Sequence, residues 1–333
     1  MGSFLTPIVL LHLTVLIGAL LCLAFASTRM LRALNGLSFY WRLPRFFLSF
    51  VVIGLGTSIP DLSVAAISSA RGEFPLMLGA IIGSNIVLLC VVLGALAFLK
   101  GGLQVREKTI LENFGWIFFV LVIPFFLLLD NKLTAFEGII LLVVYLMYVY
   151  NVTEQEALSN APGRQSELRL GDEPQSYSRW FAGREALKLV AFLGAIILFA
   201  NISVDAAMVL SIGMNLPPLL IGFTVVSLGL TLPEAALGLT ALREKQEDVI
   251  WGDIIGSFIT ELTLVLGASA LFAGDVLFNF AEAATGYGFM AMGFFLIFLF
   301  AYSTKRLSST QGIALMLLYV IFLSLQVDWF LAG

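Results

Sequence analysis

Two acidic residues stand inside long apolar stretches, and each directly follows a proline: Asp61 in the first half of the chain and Glu234 in the second. Proline has no backbone N–H and crowds the carbonyl four residues earlier, so the carbonyls of Gly56 and Gly229 are predicted to lose their helical partners. Inside a membrane, a freed carbonyl must meet a cation, water or a hydroxyl group. Each position therefore combines negative charge with oxygen atoms, which is the chemistry of cation binding.

Further oxygen atoms recur at helical spacing around these acids. Thr57 and Ser58 precede Asp61 by one turn, so hydroxyls and carboxylate share a helix face. The second half repeats this arrangement and adds an acid one turn after a serine. The candidate ion ligands are Asp61, Glu234, Glu261, Thr57, Ser58, Thr231, Ser84, Ser257 and, through its backbone carbonyl, Leu230.

These residues also have purely structural interpretations. Asp61 and Glu234 would then be a polar pair that stabilises helix contacts, and Glu261 an acid at a helix end. The hydroxyl residues would be small side chains that let helices approach closely, a common use in membranes. Asp253, near one end of its helix, is predicted to lie either at the membrane interface or on an ion pathway.

The acids need a compensating charge. An isolated acid at the bilayer centre costs about 2.5–3.5 kcal/mol, and no Lys or Arg lies at comparable depth in these stretches. The compensation must come from a bound cation, a bound proton, or both. A set of carboxylate, carbonyl and hydroxyl oxygens without His or Cys suits Ca²⁺ or Na⁺, whereas Zn²⁺ and Cu⁺ prefer other ligands.

The composition places these residues in a membrane protein. The 333 residues are 60% hydrophobic and 12% charged, against roughly 45–50% apolar and about 25% charged residues in an average soluble domain. This excludes an ordinary soluble enzyme, a disordered chain and a nucleic-acid-binding protein. Cys22 and Cys90 fall in apolar stretches and are predicted to be small core residues, not a disulfide or a metal pair.

The chain is predicted to be an all-α membrane protein with ten transmembrane helices, arranged as two inverted five-helix repeats. A polar segment divides five apolar stretches from five more. The domains are a first repeat over 1–151 with its alpha-1 region at 44–98, a linker over 152–186, and a second repeat over 187–333 with its alpha-2 region at 216–272. The predicted spans are 6–27, 44–70, 75–98, 110–129, 133–151, 187–204, 216–241, 249–272, 278–302 and 309–331.

The basic residues predict the orientation of these spans. One set of alternate loops holds 16 of the 18 Lys and Arg residues, whereas the opposite set holds only Arg71 and Lys132. Cytoplasmic loops carry the excess of Lys and Arg. We therefore expect an integral protein of the plasma (inner) membrane with both termini outside and the 152–186 loop in the cytoplasm.

The two halves contain a sequence repeat. Residues 54–98 and 227–271 align without a gap at an offset of 173 residues, and 15 of the 45 positions are identical, including glycines, a proline and a serine. The charge distribution places the turn of the first copy outside and that of the second inside. The repeats are therefore predicted to be inverted, an architecture of many secondary transporters.

These motifs carry a family resemblance. The first copy reads Gly56-Thr57-Ser58-Ile59-Pro60-Asp61 with Gly83-Ser84-Asn85-Ile86, and the second reads Gly229-Leu230-Thr231-Leu232-Pro233-Glu234 with Gly256-Ser257-Phe258-Ile259. They resemble the two alpha-repeats of the sodium/calcium exchanger branch of the cation/calcium antiporter superfamily. The resemblance implies that Asp61 and Glu234 are the central Ca²⁺ carboxylates and that Thr57, Ser58, Thr231, Ser84 and Ser257 complete overlapping Ca²⁺ and Na⁺ sites. It also implies that helices 1 and 6 slide across the other eight.

The sequence departs from the family pattern at four positions. Asp61 stands where Glu is usual, and Leu88 replaces the Asn or Asp that usually follows the first Gly-Ser by one turn, so its counterpart Glu261 is expected to have one partner fewer. Leu230 replaces a Thr and Phe258 an Asn. These changes predict weaker Na⁺ coupling and stronger proton competition than the family pattern implies.

We therefore expect a secondary active antiporter that exchanges Ca²⁺ for Na⁺ by alternating access. The alternative is a divalent cation exchanger coupled to protons or another monovalent ion, and a cation channel is a more remote one. An enzyme is not expected, because no nucleophile and base are suitably combined. The expected partners are Ca²⁺, Na⁺ or H⁺ and the lipid bilayer, without a resident cofactor or nucleic acid. A monomer is expected, with an oligomer as the alternative.

Overall fold

The computed structural model describes residues 7–40, 56–105, 107–159 and 179–332. Within these ranges the chain forms ten helical segments and four two-residue strands. The helices are α1 (Pro7–Tyr40), α2 (Ile59–Ala70), α3 (Phe74–Lys100), α4 (Glu107–Leu128), α5 (Ala135–Ser159), α6 (Arg179–Met214), α7 (Pro218–Arg243), α8 (Glu247–Ala273), α9 (Phe280–Thr304) and α10 (Ser309–Ala332). The strands are β1 (Leu103–Gln104), β2 (Lys132–Leu133), β3 (Val276–Leu277) and β4 (Arg306–Leu307).

Eight of these helices contain segments long and apolar enough to cross a membrane. The other two, α2 and α4, contribute shorter apolar helices at Ile59–Ala70 and Gly115–Leu128. The start of the predicted span 44–70 lies outside the described residues. The all-helical membrane architecture is therefore confirmed, while the full set of ten spans stays a prediction.

The surface of the bundle is apolar, as a lipid environment requires. On α1, for example, Leu11, Leu21 and Phe25 are each more than half exposed. Contiguous apolar surface of this kind is rare on soluble monomers. Cys22 also lies exposed on α1, whereas Cys90 is buried. The prediction that both cysteines are core residues was thus wrong for Cys22, because an apolar stretch in a membrane turns one face to lipid.

The helices flanking the predicted linker are longer than their apolar stretches. α5 continues to Ser159 and α6 begins at Arg179, so both ends of the 152–186 segment are helical. Residues 160–178, the middle of that segment, lie outside the described residues. α6 also continues beyond its predicted end at 204 to Met214, because Asp205 is exposed and interrupts only the apolar pattern, not the helix.

Helices α1 and α6 form a pair that packs side by side along their lengths. A 34-residue helix such as α1 is about 51 Å long, well above the ~30 Å hydrocarbon core. Buried apolar side chains of the pair, including Leu16, Leu20 and Ala207, form a cluster with residues of α2, α3 and α7. A larger separate cluster holds the remaining helices together. The pair therefore packs against the rest of the bundle through a distinct apolar interface.

The short strands reveal how the two halves are related. β1 pairs with β4 and β2 pairs with β3, both antiparallel. β1 in the first half corresponds to β3 in the second, because Leu103 and Val276 lie 173 residues apart. β1 and β2 stand at opposite ends of α4, and β3 joins the end that carries β2. Corresponding connections thus lie at opposite ends of the bundle, which is the geometry of an inverted repeat.

Two glycine contacts obey the same symmetry. A Cβ atom placed on Gly94 would lie 2.7 Å from the carbonyl oxygen of Gly312, and one on Gly138 would lie 2.7 Å from that of Gly267. Gly94 and Gly267 are equivalent in the repeat, and so, within one residue, are Gly138 and Gly312. Small residues at such crossings let membrane helices approach closely. The repeated glycines therefore join α3 to α10 and α5 to α8.

Candidate functional site

Asp61 and Glu234 both lie at interrupted helix starts in the interior. Asp61 occupies the first turn of α2, and Glu234 occupies the first turn after α7 is interrupted at Thr231. Each preceding proline sits at the start of its helical segment, where the missing N–H costs no hydrogen bond. Asp61 is 3% exposed and Glu234 is 2% exposed. The amino-terminal end of a helix favours negative charge, so the local fold supports an acid at both positions.

Glu261 receives two hydrogen bonds from the opposite half of the chain. Its Oε2 atom accepts from Ser84 Oγ at 2.6 Å and from Asn85 Nδ2 at 2.8 Å. Glu261 begins a π-helical turn within α8, and Leu88 is buried on α3. Glu261 therefore has two polar donors although Leu88 offers only hydrocarbon. Asn85 was absent from the predicted ligands, although its place beside Ser84 in the Gly-Ser-Asn motif was visible in the sequence.

The surroundings of Glu234 differ from those of Glu261. Among the described residues, neither carboxylate oxygen of Glu234 has a hydrogen-bond partner on another side chain. It interacts electrostatically with three other acids: Asp61, Asp253 and Glu261. No Lys or Arg within the described ranges forms an ion pair with any of these four. In the described part of the interior, these acids are thus concentrated without a basic residue paired to them.

The predicted hydroxyl residues all lie in the interior. Thr231 uses its hydroxyl to donate to carbonyls of its own helix, at Ser227 and Leu228. The Ser257 hydroxyl has no hydrogen-bond partner among the described residues. The buried members of the predicted set are Thr57, Ser58, Ser84, Leu230, Thr231 and Ser257.

Asp253 is a fourth acid in the protein interior. It lies in α8, is 4% exposed, and its Oδ1 atom has no partner within the described part of the chain. Whether it stands at the membrane interface or on an ion pathway stays a prediction.

The arrangement supplies oxygen atoms for a cation without forming a tight cage. Within the described residues, no group of three or more Asp, Glu, His or Cys side chains is arranged as a set of metal ligands. Four buried acids lie on three helices instead: Asp61 on α2, Glu234 on α7, and Asp253 and Glu261 on α8. Their mutual repulsion in a poorly hydrated interior is relieved by binding positive charge.

The chain matches a known family over both halves. The profile of the sodium/calcium exchanger protein family matches residues 11–153 and 185–327. A putative antiporter, CaxA of Alkalimonas amylolytica, is 26% identical over 313 residues, covering 92% of this chain and 95% of that protein. The two matched segments coincide with the two inverted halves of the fold.

Solved structures share this architecture. The sodium-calcium exchanger NCX_Mj is 21% identical and superimposes with a TM-score of 0.63, covering 95% of this chain and 98% of that one. The H⁺/Ca²⁺ exchanger CAX is 14% identical and superimposes with a TM-score of 0.75, covering 96% and 88%. These similarities concern the fold, whereas the profile match over both halves assigns the family. The chain is a member of the sodium/calcium exchanger protein family, a family of cation antiporters of the membrane.

Proposed function

We propose that this protein is a secondary active antiporter that moves Ca²⁺ across the membrane in exchange for Na⁺. The observation that carries the proposal is the set of buried acids, Asp61, Glu234 and Glu261, without a basic partner among the described residues. A divalent ion would neutralise two of these charges, and hydroxyl and carbonyl oxygens suit its hard character. The match to the sodium/calcium exchanger protein family supports the same function.

The proposal assigns a role to each candidate residue. Asp61 and Glu234 are the central Ca²⁺ carboxylates, and Glu261 is the third acid. Oxygen atoms of the remaining candidates complete overlapping Ca²⁺ and Na⁺ sites; these candidates are Thr57, Ser58, Thr231, Ser84, Ser257 and the carbonyl of Leu230. Each half contributes an acid to one shared site, as expected for a transporter built from inverted repeats.

The membrane arrangement belongs to the same proposal. The chain crosses the plasma (inner) membrane ten times, with five helices in residues 1–151 and five in 187–333. Both termini face outside and the 152–186 loop faces the cytoplasm, because the basic residues concentrate in that set of loops. The α1 and α6 pair slides across the other helices to expose the site alternately, and its separate apolar interface is suited to that motion.

Proton coupling is the second candidate function. It is favoured by Leu88 and Leu230, which place hydrocarbon where the family pattern supplies side-chain oxygen, and therefore leave fewer ligands for Na⁺. Acids that lack basic partners can exchange protons as readily as metal ions. Both candidates share Ca²⁺ as substrate and differ only in the ion that drives its movement.

Transport by the purified full chain in proteoliposomes tests the proposal. Uptake of radioactive Ca²⁺ is measured while outward gradients of Na⁺, K⁺ and H⁺ are imposed in turn. We expect Na⁺ to drive accumulation, and Glu234→Gln to abolish it. Glu244→Gln removes an exposed carboxylate beyond the end of α7 and serves as the matched control. Accumulation driven by H⁺ alone would select the second candidate, and no Ca²⁺ movement under any gradient would refute both.

A further inference from the structure

Asp253 and Ser257 form an unsatisfied polar pair inside α8. Asp253 is 4% and Ser257 0% exposed, and among the described residues Asp253 Oδ1 and Ser257 Oγ have no hydrogen-bond partner. The two residues are four apart on one helix and therefore lie on the same face. A buried polar atom without a partner lowers the stability of the folded protein, and an unpaired buried charge lowers it more. The pair is therefore expected to have a ligand at some stage of the protein's activity.

Glu234 on α7 completes this group. Its two carboxylate oxygens also lack a partner on another side chain within the described ranges, and it interacts electrostatically with Asp253. The three residues thus present four buried oxygen atoms without partners, on two helices that pack against each other. Carboxylate and hydroxyl oxygens without nitrogen or sulfur suit a hard cation.

Asp253 extends this group away from Glu261, toward one end of the bundle. Asp253 lies eight residues before Glu261, which corresponds to about 12 Å along the helix axis. It lies nearer the start of α8, where Glu247 accepts a hydrogen bond from Gln104 N at 2.6 Å beside the β1–β4 strand pair. Asp253 is therefore on the β1–β4 side of the acids that the family motifs contain.

The first half has no counterpart to Asp253. The equivalent position, 173 residues earlier, is Ala80, a buried residue with no oxygen in its side chain. The extra carboxylate therefore breaks the symmetry of the two halves. On the β1–β4 side, a cation therefore meets a buried carboxylate at this position of the repeat, whereas the equivalent position of the first half offers only the methyl group of Ala80.

We propose that Asp253 extends the ion site toward the β1–β4 end of the bundle: with Ser257 and the central acid Glu234 it forms an access subsite that binds a transported hard cation. The inference deepens the proposed function and rests on it. The subsite raises the apparent affinity for that cation on one face of the membrane only. Asp253 is thereby a binding residue beyond the ligands that the repeat motifs supply.

The test compares Ca²⁺ half-saturation on the two faces of the membrane, using right-side-out and inside-out vesicles that contain the full chain. For Asp253→Asn we expect a rise of at least about fivefold on one face and less than about twofold on the other, because only one approach path loses a nearby charge. Asp248→Asn, which removes an exposed carboxylate from the same helix, should leave both values unchanged. Measuring the inhibition of Ca²⁺ uptake by Na⁺ on each face in the same variants identifies which ion the subsite binds. A change on one face only, in either assay, supports the subsite.

Equal changes on both faces, or no change in either assay, would overturn the proposal. Asp253→Glu, which retains the charge, should stay within about threefold of the wild type on both faces. If Asp253→Asn does not fold, Asp253→Glu still tests the inference. A rise in Ca²⁺ half-saturation on one face in this variant, despite the retained charge, would contradict it. The wild type is measured first, so absence of Ca²⁺ transport there refutes the proposed function and not the role of Asp253 alone.

Discussion

Ser84 Oγ donates a hydrogen bond to Glu261 Oε2 across 2.6 Å, linking the Gly-Ser motif of the first half to the extra acid of the second. In the repeat, the counterpart of Ser84 is Ser257, which precedes Glu261 by one turn of α8. Each half thus supplies one serine near the same carboxylate, but only Ser84 donates to it. The symmetric sequence motif therefore produces an asymmetric site, in which Glu261 is held by α3 and Glu234 is not held by a side chain of the described residues.

Neutralising either central acid should remove Ca²⁺ binding. Asp61→Asn and Glu234→Gln each delete a negative charge that a divalent ion needs in a poorly hydrated site. Isothermal titration calorimetry on the purified protein should show no measurable Ca²⁺ binding, while Glu244→Gln binds as the wild type does. Wild-type affinity in either acid variant would place the Ca²⁺ site elsewhere.

Restoring a polar side chain at position 88 should strengthen competition by Na⁺. Leu88 is fully buried on α3, in the repeat position equivalent to Glu261. An amide oxygen there adds a ligand for a monovalent ion between the halves. We expect Leu88→Asn to lower the Na⁺ concentration that half-inhibits Ca²⁺ uptake by about tenfold, equivalent to ~1.4 kcal/mol. Leu88→Met, which keeps an apolar side chain, is the control, and equal Na⁺ inhibition in both variants would count against the idea.

Glu261 should govern the pH dependence of Ca²⁺ uptake. Three carboxylates around one divalent ion carry surplus negative charge, so we expect a proton to be retained on Glu261. Uptake should then rise with pH as proton competition weakens, and Glu261→Gln should flatten that rise while largely keeping Ca²⁺ binding. Uptake rates measured between about pH 6 and 8 decide the matter. Steep, Na⁺-driven wild-type exchange that is insensitive to pH in this window would contradict this role for Glu261.

The glycine crossing between α3 and α10 should tolerate no added methyl group. A Cβ on Gly94 would lie 2.7 Å from the carbonyl oxygen of Gly312, which is backbone and cannot rotate away. Gly94→Ala should therefore destabilise the protein by about 1–3 kcal/mol through overpacking. Gly194→Ala on α6, where a Cβ would meet nothing within 4 Å among the described atoms, should be neutral or stabilising. Thermal unfolding in detergent distinguishes the two, and equal melting temperatures would show that the helices separate at little cost.

The ion pair between Arg71 and Asp205 should affect transport only modestly. Arg71 Nη1 donates to Asp205 Oδ1 at 2.5 Å and ties the α2–α3 turn to α6, with both side chains partly exposed. Exposed pairs contribute about 0.2–1 kcal/mol, so removing this one changes a conformational equilibrium by no more than about fivefold. Transport rates of Arg71→Ala, Asp205→Ala and the double variant form the test. Arg71 also donates to Asn201 Oδ1 at 2.8 Å, so the double variant should match Arg71→Ala if Asp205 acts only through this pair. Additive losses would mean that the two residues act separately.

Much of the molecule was visible in the sequence, because a membrane imposes strict local rules. The length of apolar stretches predicts helices. For the eight long spans, most of the predicted boundaries lie within a few residues of the observed ones. The gap-free repeat predicted two related halves, and the strand pairs show that corresponding connections lie at opposite ends. Asp61 and Glu234 were recognised because an acid that follows a proline in an apolar stretch costs free energy in a membrane, and such acids are typically functional.

Tertiary structure decided what no local pattern contains. Whether Asp253 is buried depends on the helices that cover the start of α8, and the exposure of Cys22 depends on which face of α1 meets lipid. Glu261 accepts its hydrogen bonds from Ser84 and Asn85, which lie about 176 positions earlier in the chain. Sequence patterns report the environment along one helix, whereas hydrogen bonds and burial depend on which helices pack together, and that choice is made by side-chain shape across the whole bundle.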